Sequence, residues 1–363
     1  FALVAEAGCT LAAVREAAQQ ADRLFPLSLG SQGSCQIGGN LATNAGGTAV
    51  LRYGMMRELT FGLEAVLADG SVISQLSPLA KDNTGYDLTR LLIGSEGTLG
   101  VITAACLKLF PLPQATATAW VAVPSPTAAL ELLQRLRAAG DGRLTTLELL
   151  PDAALQLVLQ HIPAARDPAV TPSPWYLLVE LEGGGTQDLD AVLAQALAAA
   201  GEQGLVIDAA IAASAAQRAG FWRLRESVPE AQREAGASLK HDISVPVANL
   251  PRFIEAGAAL VARLAPEGFL VAYGHAGDGN LHFNINQRAG ADAAAFAQRE
   301  APLRRAIHDL VAQSGGSFSA EHGIGRLKVD ELRRYASAAE LAAMHRIKHA
   351  LDPHGILNPG KVL

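Results

Sequence analysis

The sequence predicts an α+β fold in more than one domain, and three observations carry that prediction. Half of the 363 residues are hydrophobic and 18% are charged, which supplies apolar material for at least two cores. Short apolar segments separated by glycine-rich turns fill the first hundred residues, whereas strands alternate with helices after the proline cluster FPLPQ at 110–114. From Pro251 onward, helical spacing surrounds one hairpin, AYGHAGDGNLHFNI at 272–285.

The elements follow in order. FALVAEAGCTLAAV runs from a strand into a helix without an initiator methionine or a polar leader, and reads as the later part of a longer protein. A helix is expected near Leu11 to Leu24, glycine-dense loops from Gly30 to Gly54, and strands around 61–68 and 101–109. WVAVPS, WYLLVELEG and VIDAAIAA read as strands, with AALELLQRLRAAG and LDAVLAQALAAAGEQG as the helices between them. That order is the order of a ferredoxin-like half. Helices are expected at 251–264, 292–313 and 338–351, before the closing LDPHGILNPGKVL.

Composition also excludes functions. A net charge of -6 without a basic stripe offers no field to a phosphate backbone, so no nucleic-acid partner is expected. No run approaches the roughly 18 to 20 apolar residues that span a bilayer, so no transmembrane segment is expected. Cys9, Cys35 and Cys106 lie far apart and suit a reducing compartment, which points to a cytoplasmic protein, or a mitochondrial matrix one if the source is eukaryotic.

Three segments carry chemistry. GSCQIGGNLATNAGG at 33–47 and LLIGSEGTLGVIT at 91–103 are glycine-rich loops whose backbone can approach a flat or anionic group. Neither has the spacing of a dinucleotide-binding or Walker phosphate loop. In the hairpin, a four-residue AGDG turn would set His275 opposite Asn280. Alternation then adds His282 and Asn284 to that face and sends Leu281, Phe283 and Ile285 to the other. Two histidines alone could equally be a hydrogen-bonded structural pair. GGSFSAEHGIG at 315–325 adds Glu321, whose burial would require a compensating cation or donor. Two imidazoles and a carboxylate are the ligand set of an open catalytic site for zinc or a similar ion.

Together with RYG at 52–54, GLEAVLADG at 62–70, NTGYDLTR before the second loop and EHGIG at 321–325, these motifs resemble a known family. They are similar to the FAD-linked D-2-hydroxy acid dehydrogenases of the vanillyl-alcohol-oxidase-type flavoproteins, and among them to the D-2-hydroxyglutarate enzymes. The resemblance implies the C-terminal part of an FAD-binding domain at 1–111, a ferredoxin-like α+β substrate domain at 112–320, and a helical C-terminal segment at 321–363 returning to the flavin. It implies FAD contacts at Ile37, Gly38, Gly39, Asn40, Ala42, Thr43, Gly46, Gly47, Gly54, Glu96, Gly97, Ile102 and Asn358.

By the same likeness, His275, His282 and Glu321 bind a divalent metal, zinc first, with manganese or cobalt as alternatives. His322 takes the hydroxyl proton, and Arg225, Lys240 and Asn284 bind the substrate. The implied activity is oxidation of a D-2-hydroxy acid, D-2-hydroxyglutarate or D-malate, with an electron-transfer flavoprotein or quinone as acceptor. A homodimer is compatible with it. Pro229 stands where the D-2-hydroxyglutarate enzymes often have threonine, which keeps D-lactate and glycolate open. A flavin-free accessory subunit is the remaining alternative.

Overall fold

In the computed structural model, which describes Phe1–Leu363, the glycine-rich first region forms an antiparallel sheet of four short strands. These are β1 (Ala2–Glu6), β2 (Thr60–Val66), β3 (Val72–Ser74) and β4 (Val101–Lys108), in the order β1-β4-β2-β3. Helix Leu11–Gln20 is capped by Thr10, whose hydroxyl accepts from the Ala13 N–H at 3.2 Å. Its buried face, Leu11, Val14 and Ala18, joins Ile37, Leu41, Leu63 and Leu107 in one core. The helix stops short of Leu24 because Asp22 turns left-handed at φ +55 and the next two residues extend to pair with Phe110–Pro111. Phe1–Leu112 and Glu321–Leu363 make one compact unit; Pro113–Ala320 makes the other.

The second unit is built on an eight-stranded antiparallel sheet. Its first four strands are β5 (Ala115–Val123), β6 (Leu144–Pro151), β7 (Trp175–Gly183) and β8 (Asp208–Ile211). They are joined by helices Pro126–Gly140 and Leu189–Gly201 and lie in the order β8-β5-β7-β6, the ferredoxin-like arrangement. β9 (Ser238–Leu239), β10 (Asp242–Ser244), β11 (Gly268–His275) and β12 (Asn280–Gln287) extend it: β11 adds beside β6, β12 beside β11, and β9 and β10 share the far edge of β12.

Helices cover both faces, so β5, β6 and β7 are buried nearly throughout. One face packs Trp120, Leu150, Tyr176, Val271 and Tyr273 against Asp152–His161, Ala215–Glu226 and Val228–Glu234. The helix expected at 292–313 is two, Ala293–Ala297 and Glu300–Gln313. Pro302 explains the break: it lacks an N–H and would clash with the carbonyl of residue 298, but is tolerated in a first turn.

Candidate active site

The hairpin puts its polar residues where strand alternation sends them. Val271 pairs with Asn284, Ala272 with Phe283 and Tyr273 with His282, where this ladder ends. Gly279 closes the turn at φ +86, and a Cβ there would lie 2.1 Å from the Val245 carbonyl oxygen. Leu281, Phe283 and Ile285 are wholly buried on the other face. The His275 and His282 rings stand 5.9 Å apart at 69°, and Tyr273 packs 5.0 Å from His282.

A second ladder brings a carboxylate to the same face. His275 is opposite Glu148 where β11 pairs with β6, and its Nδ1 is hydrogen-bonded to one Glu148 oxygen. The other oxygen accepts from Arg225 Nε at 2.6 Å. Arg225, in the last turn of helix Ala215–Glu226, lays its guanidinium 4.9 Å over the Tyr273 ring. Glu148, Arg225, His275, His282 and Tyr273 thus form one group.

The electrostatics follow from that packing. Burial opposes ionisation of Glu148, but Arg225 and His275 outweigh it and bring its carboxyl down to about 2. Burial, with Arg225 and then His275 adding repulsion, pulls His282 down to about 3, so its imidazole is neutral near pH 7. Burial pushes Tyr273 up to about 12. A neutral imidazole is the form that ligates a metal. With Nδ1 of His275 bonded to a carboxylate, a metal would be met through Nε2, the arrangement usual for ligating histidines. The donors in this unit therefore fit a divalent ion.

Two residues expected at the substrate lie apart from this group. Asn284 is buried on the same face, but its amide donates to Gln232 at 3.0 Å and accepts from the His241 N–H at 3.2 Å. Lys240 is exposed in the bend between β9 and β10. Pro229 falls in the first turn of helix Val228–Glu234, a position that suits proline.

The chain leaves this unit beside the histidines. Ser317 pairs with Ser244, and the Ala320 N–H reaches the carbonyl of Asp242, the residue opposite His282, at 3.4 Å. Glu321 is the next residue.

In the first unit, the helix Ile37–Ala42 has two sides. Ile37, Asn40 and Leu41 are buried, while Gly39 and Thr43 face outward, and a Cβ on Gly39 would meet nothing within 4 Å. An open glycine backed by a packed core suits the approach of a flat group, and to that extent this segment fits a flavin. Gly38 packs on Ala7 and Gly47 on Ser28, without room for a side chain. Ala42 and Ile102 are half-buried, and Gly54 caps the short helix Val50–Tyr53. A Cβ on Gly46 would stand 3.3 Å from Glu321 Oε1.

Glu96 acts as a clasp. Its carboxylate accepts the N–H groups of Ile324 and Gly325, each at 2.7 Å, and its carbonyl accepts from Asn358 Nδ2. Gly97 follows at φ +71. The clasp fixes the loop that carries Glu321 and the exposed His322. Glu96 and Asn358 thus have a structural task besides any contact with a cofactor.

Glu148 is the residue that sequence reasoning passed over. A single acidic residue in the apolar run LTTLELLP was the available signal, since a buried carboxylate needs a partner.

Comparison with known proteins adds the following. Residues 112–362 match a model described as FAD linked oxidases, C-terminal domain, and residues 1–75 match one described as FAD binding domain. A mitochondrial D-2-hydroxyglutarate dehydrogenase of Rattus norvegicus is 41% identical over 99% of this chain and 66% of its own length. A D-2-hydroxyglutarate dehydrogenase of Xanthomonas citri pv. viticola is 39% identical over 99% of this chain and 75% of its own. The chain spans roughly two thirds of the length of the mitochondrial relatives it matches. Among solved structures, p-cresol methylhydroxylase with substrate bound shares the fold at a TM-score of 0.73 and 16% identity, covering 99% of this chain and 76% of that one. Alkyldihydroxyacetonephosphate synthase does so at 0.70 and 17%, covering 99% and 64%. No helix is long and apolar enough to cross a membrane.

Proposed function

This chain belongs to the FAD-linked oxidase family, and from that premise we propose that it oxidises a D-2-hydroxy acid, D-2-hydroxyglutarate or D-malate, to the 2-oxo acid. One observation carries the reading: two imidazoles converge on a sheet face beside a buried guanidinium. His275, His282 and Glu321 are the donors for a divalent metal, zinc first and manganese or cobalt as alternatives. Bound there, the ion would lower the pKa of the substrate hydroxyl, and the flavin would accept the hydride at N5.

The side chains do the rest. Arg225 grips the carboxylate next to the hydroxyl, with Glu148 holding its Nε, and Lys240 serves the far carboxylate as a point charge. His322 accepts the hydroxyl proton as the hydride leaves the same carbon. Asn284 steadies the substrate face of the hairpin. Ile37, Gly38, Gly39, Asn40, Ala42, Thr43, Gly46, Gly47, Gly54, Glu96, Gly97, Ile102 and Asn358 form the flavin's surroundings, the buried ones from behind. The chain works away from nucleic acid, in the cytoplasm or the mitochondrial matrix, and passes electrons to an electron-transfer flavoprotein or a quinone.

Pro229 favours a second reading, turnover of D-lactate or glycolate, because the residue offers no hydroxyl to a far carboxylate. Metal analysis together with rates on D-2-hydroxyglutarate, D-malate, D-lactate, glycolate and the L-acids tests both. Stoichiometric metal and a preference for the D-dicarboxylates are expected. A protein that turns over without any metal, or prefers L-acids, refutes the proposal.

A further inference from the structure

The buried carboxylate of Glu148 serves two functional side chains at once. It sits opposite His275 across the β6–β11 ladder and takes the Nδ1 of that imidazole on one oxygen and the Nε of Arg225 on the other. Its side chain is 1% exposed, so neither bond competes with water. Arg225 is further confined by the Tyr273 ring, which also packs on His282. The bonding is asymmetric in a useful way: Arg225 can only donate, so one oxygen must accept from it. Paired with that cation the carboxyl is ionised, so its other oxygen can only accept as well, which makes His275 the donor at Nδ1.

We propose that Glu148 is a positioning residue that fixes His275 as its Nδ1–H tautomer, with Nε2 directed at the metal, and aims the Arg225 guanidinium at the substrate. The inference rests on the metal-dependent reading above. Replacement by glutamine predicts a definite fault. The amide oxygen is needed by Arg225, so the amide nitrogen turns to His275 and donates to Nδ1. The imidazole then carries its proton on Nε2 and cannot offer that nitrogen to an ion.

Imidazole ¹⁵N resonances of the metal-free, flavin-loaded protein, assigned by His275→Gln, read the tautomer. Competition with a chromophoric chelator reads Zn²⁺ affinity. Wild type should show Nδ1–H at His275, and Glu148→Gln should show Nε2–H with Zn²⁺ binding weaker by about 10- to 100-fold. Glu148→Asp keeps two acceptor oxygens and should recover the tautomer and part of the affinity, and it serves as the readout if the glutamine variant does not fold. In both variants KM for the hydroxy acid should rise along with the loss of metal, since the guanidinium loses its anchor. An Nε2–H proton on His275 in wild type, or a folded Glu148→Gln binding Zn²⁺ as tightly as wild type, overturns the proposal. If wild type binds no Zn²⁺ although His275 carries Nδ1–H that flips in Glu148→Gln, the metal-dependent reading falls and the positioning role stands.

Discussion

The two units hold their polar groups by different means. In the second unit, Glu148, His275 and Asn284 are buried in a sheet with His282 half-buried beside them, and ladder register decides which of them meet. In the first unit, the clasp at Glu96 works through backbone N–H groups and left-handed residues on loops. Register is a collective property, so it resists single changes except at the turn that sets it. A clasp is local, and one substitution opens it.

The largest expected effect is at the sheet. His282→Ala removes one of the proposed ligands, so metal content should vanish and turnover fall by more than about 100-fold, beyond the loss typical of a residue behind a ligand. Metal analysis on the folded variant checks this, and full metal occupancy would break the comparison.

Next come two glycines. Gly279→Ala forces a Cβ to 2.1 Å from a carbonyl oxygen at φ +86, and should cost at least about 1–3 kcal/mol in a denaturant titration from backbone strain alone. Gly39→Ala meets nothing within 4 Å and should leave stability unchanged or raise it by about 0.5–1 kcal/mol. Its cost should instead appear in FAD affinity, read by fluorescence titration. A destabilised Gly39→Ala with unchanged flavin binding would reverse the assignment.

Glu96→Ala leaves two loop amides without their charged acceptor, a loss of about 1.5–3 kcal/mol. Hydrogen exchange should rise at Ile324 and Gly325 while the β11–β12 hairpin stays protected. The smallest effect is acid stability. Burial opposes ionisation of Asp352, but the Lys348 ammonium and the N–H groups of Leu357 and Ile356 outweigh it and lower its carboxyl from 3.8 to about 2. A lowered carboxyl adds stability that is complete above pH 3.8 and is lost as pH falls through about 2. Between those pH values, wild type should therefore lose more stability than Asp352→Asn.

Much of this was legible in the residues. The hairpin register followed from period-two alternation around a glycine-framed turn, because a one-residue slip would bury His282 among Leu281 and Phe283. The ferredoxin-like order showed in the strands that alternate with helices, although β6 and the helix Asp152–His161 behind it were not foreseen. The central strands are buried on both faces, so periodicity cannot separate them from buried helix. The partnership of Glu148 with His275 spans 127 residues and depends on sheet order, which no local pattern reports. The Glu96 clasp was hidden for a related reason: its carboxylate bonds to main-chain N–H groups, which every residue but proline has.

One feature of the fold bears on how the molecule is made. The first unit is assembled from Phe1–Leu112 and Glu321–Leu363, while Pro113–Ala320 is one uninterrupted stretch. During synthesis the uninterrupted stretch can complete its sheet first, since domains fold as units. The earlier-made portion must then wait for Glu321–Leu363, whose Leu351 packs on its core and whose Ile324 and Gly325 N–H groups bond to Glu96. A ribosome that stalls just before Glu321 would leave Phe1–Leu112 without that segment, as a client for chaperones.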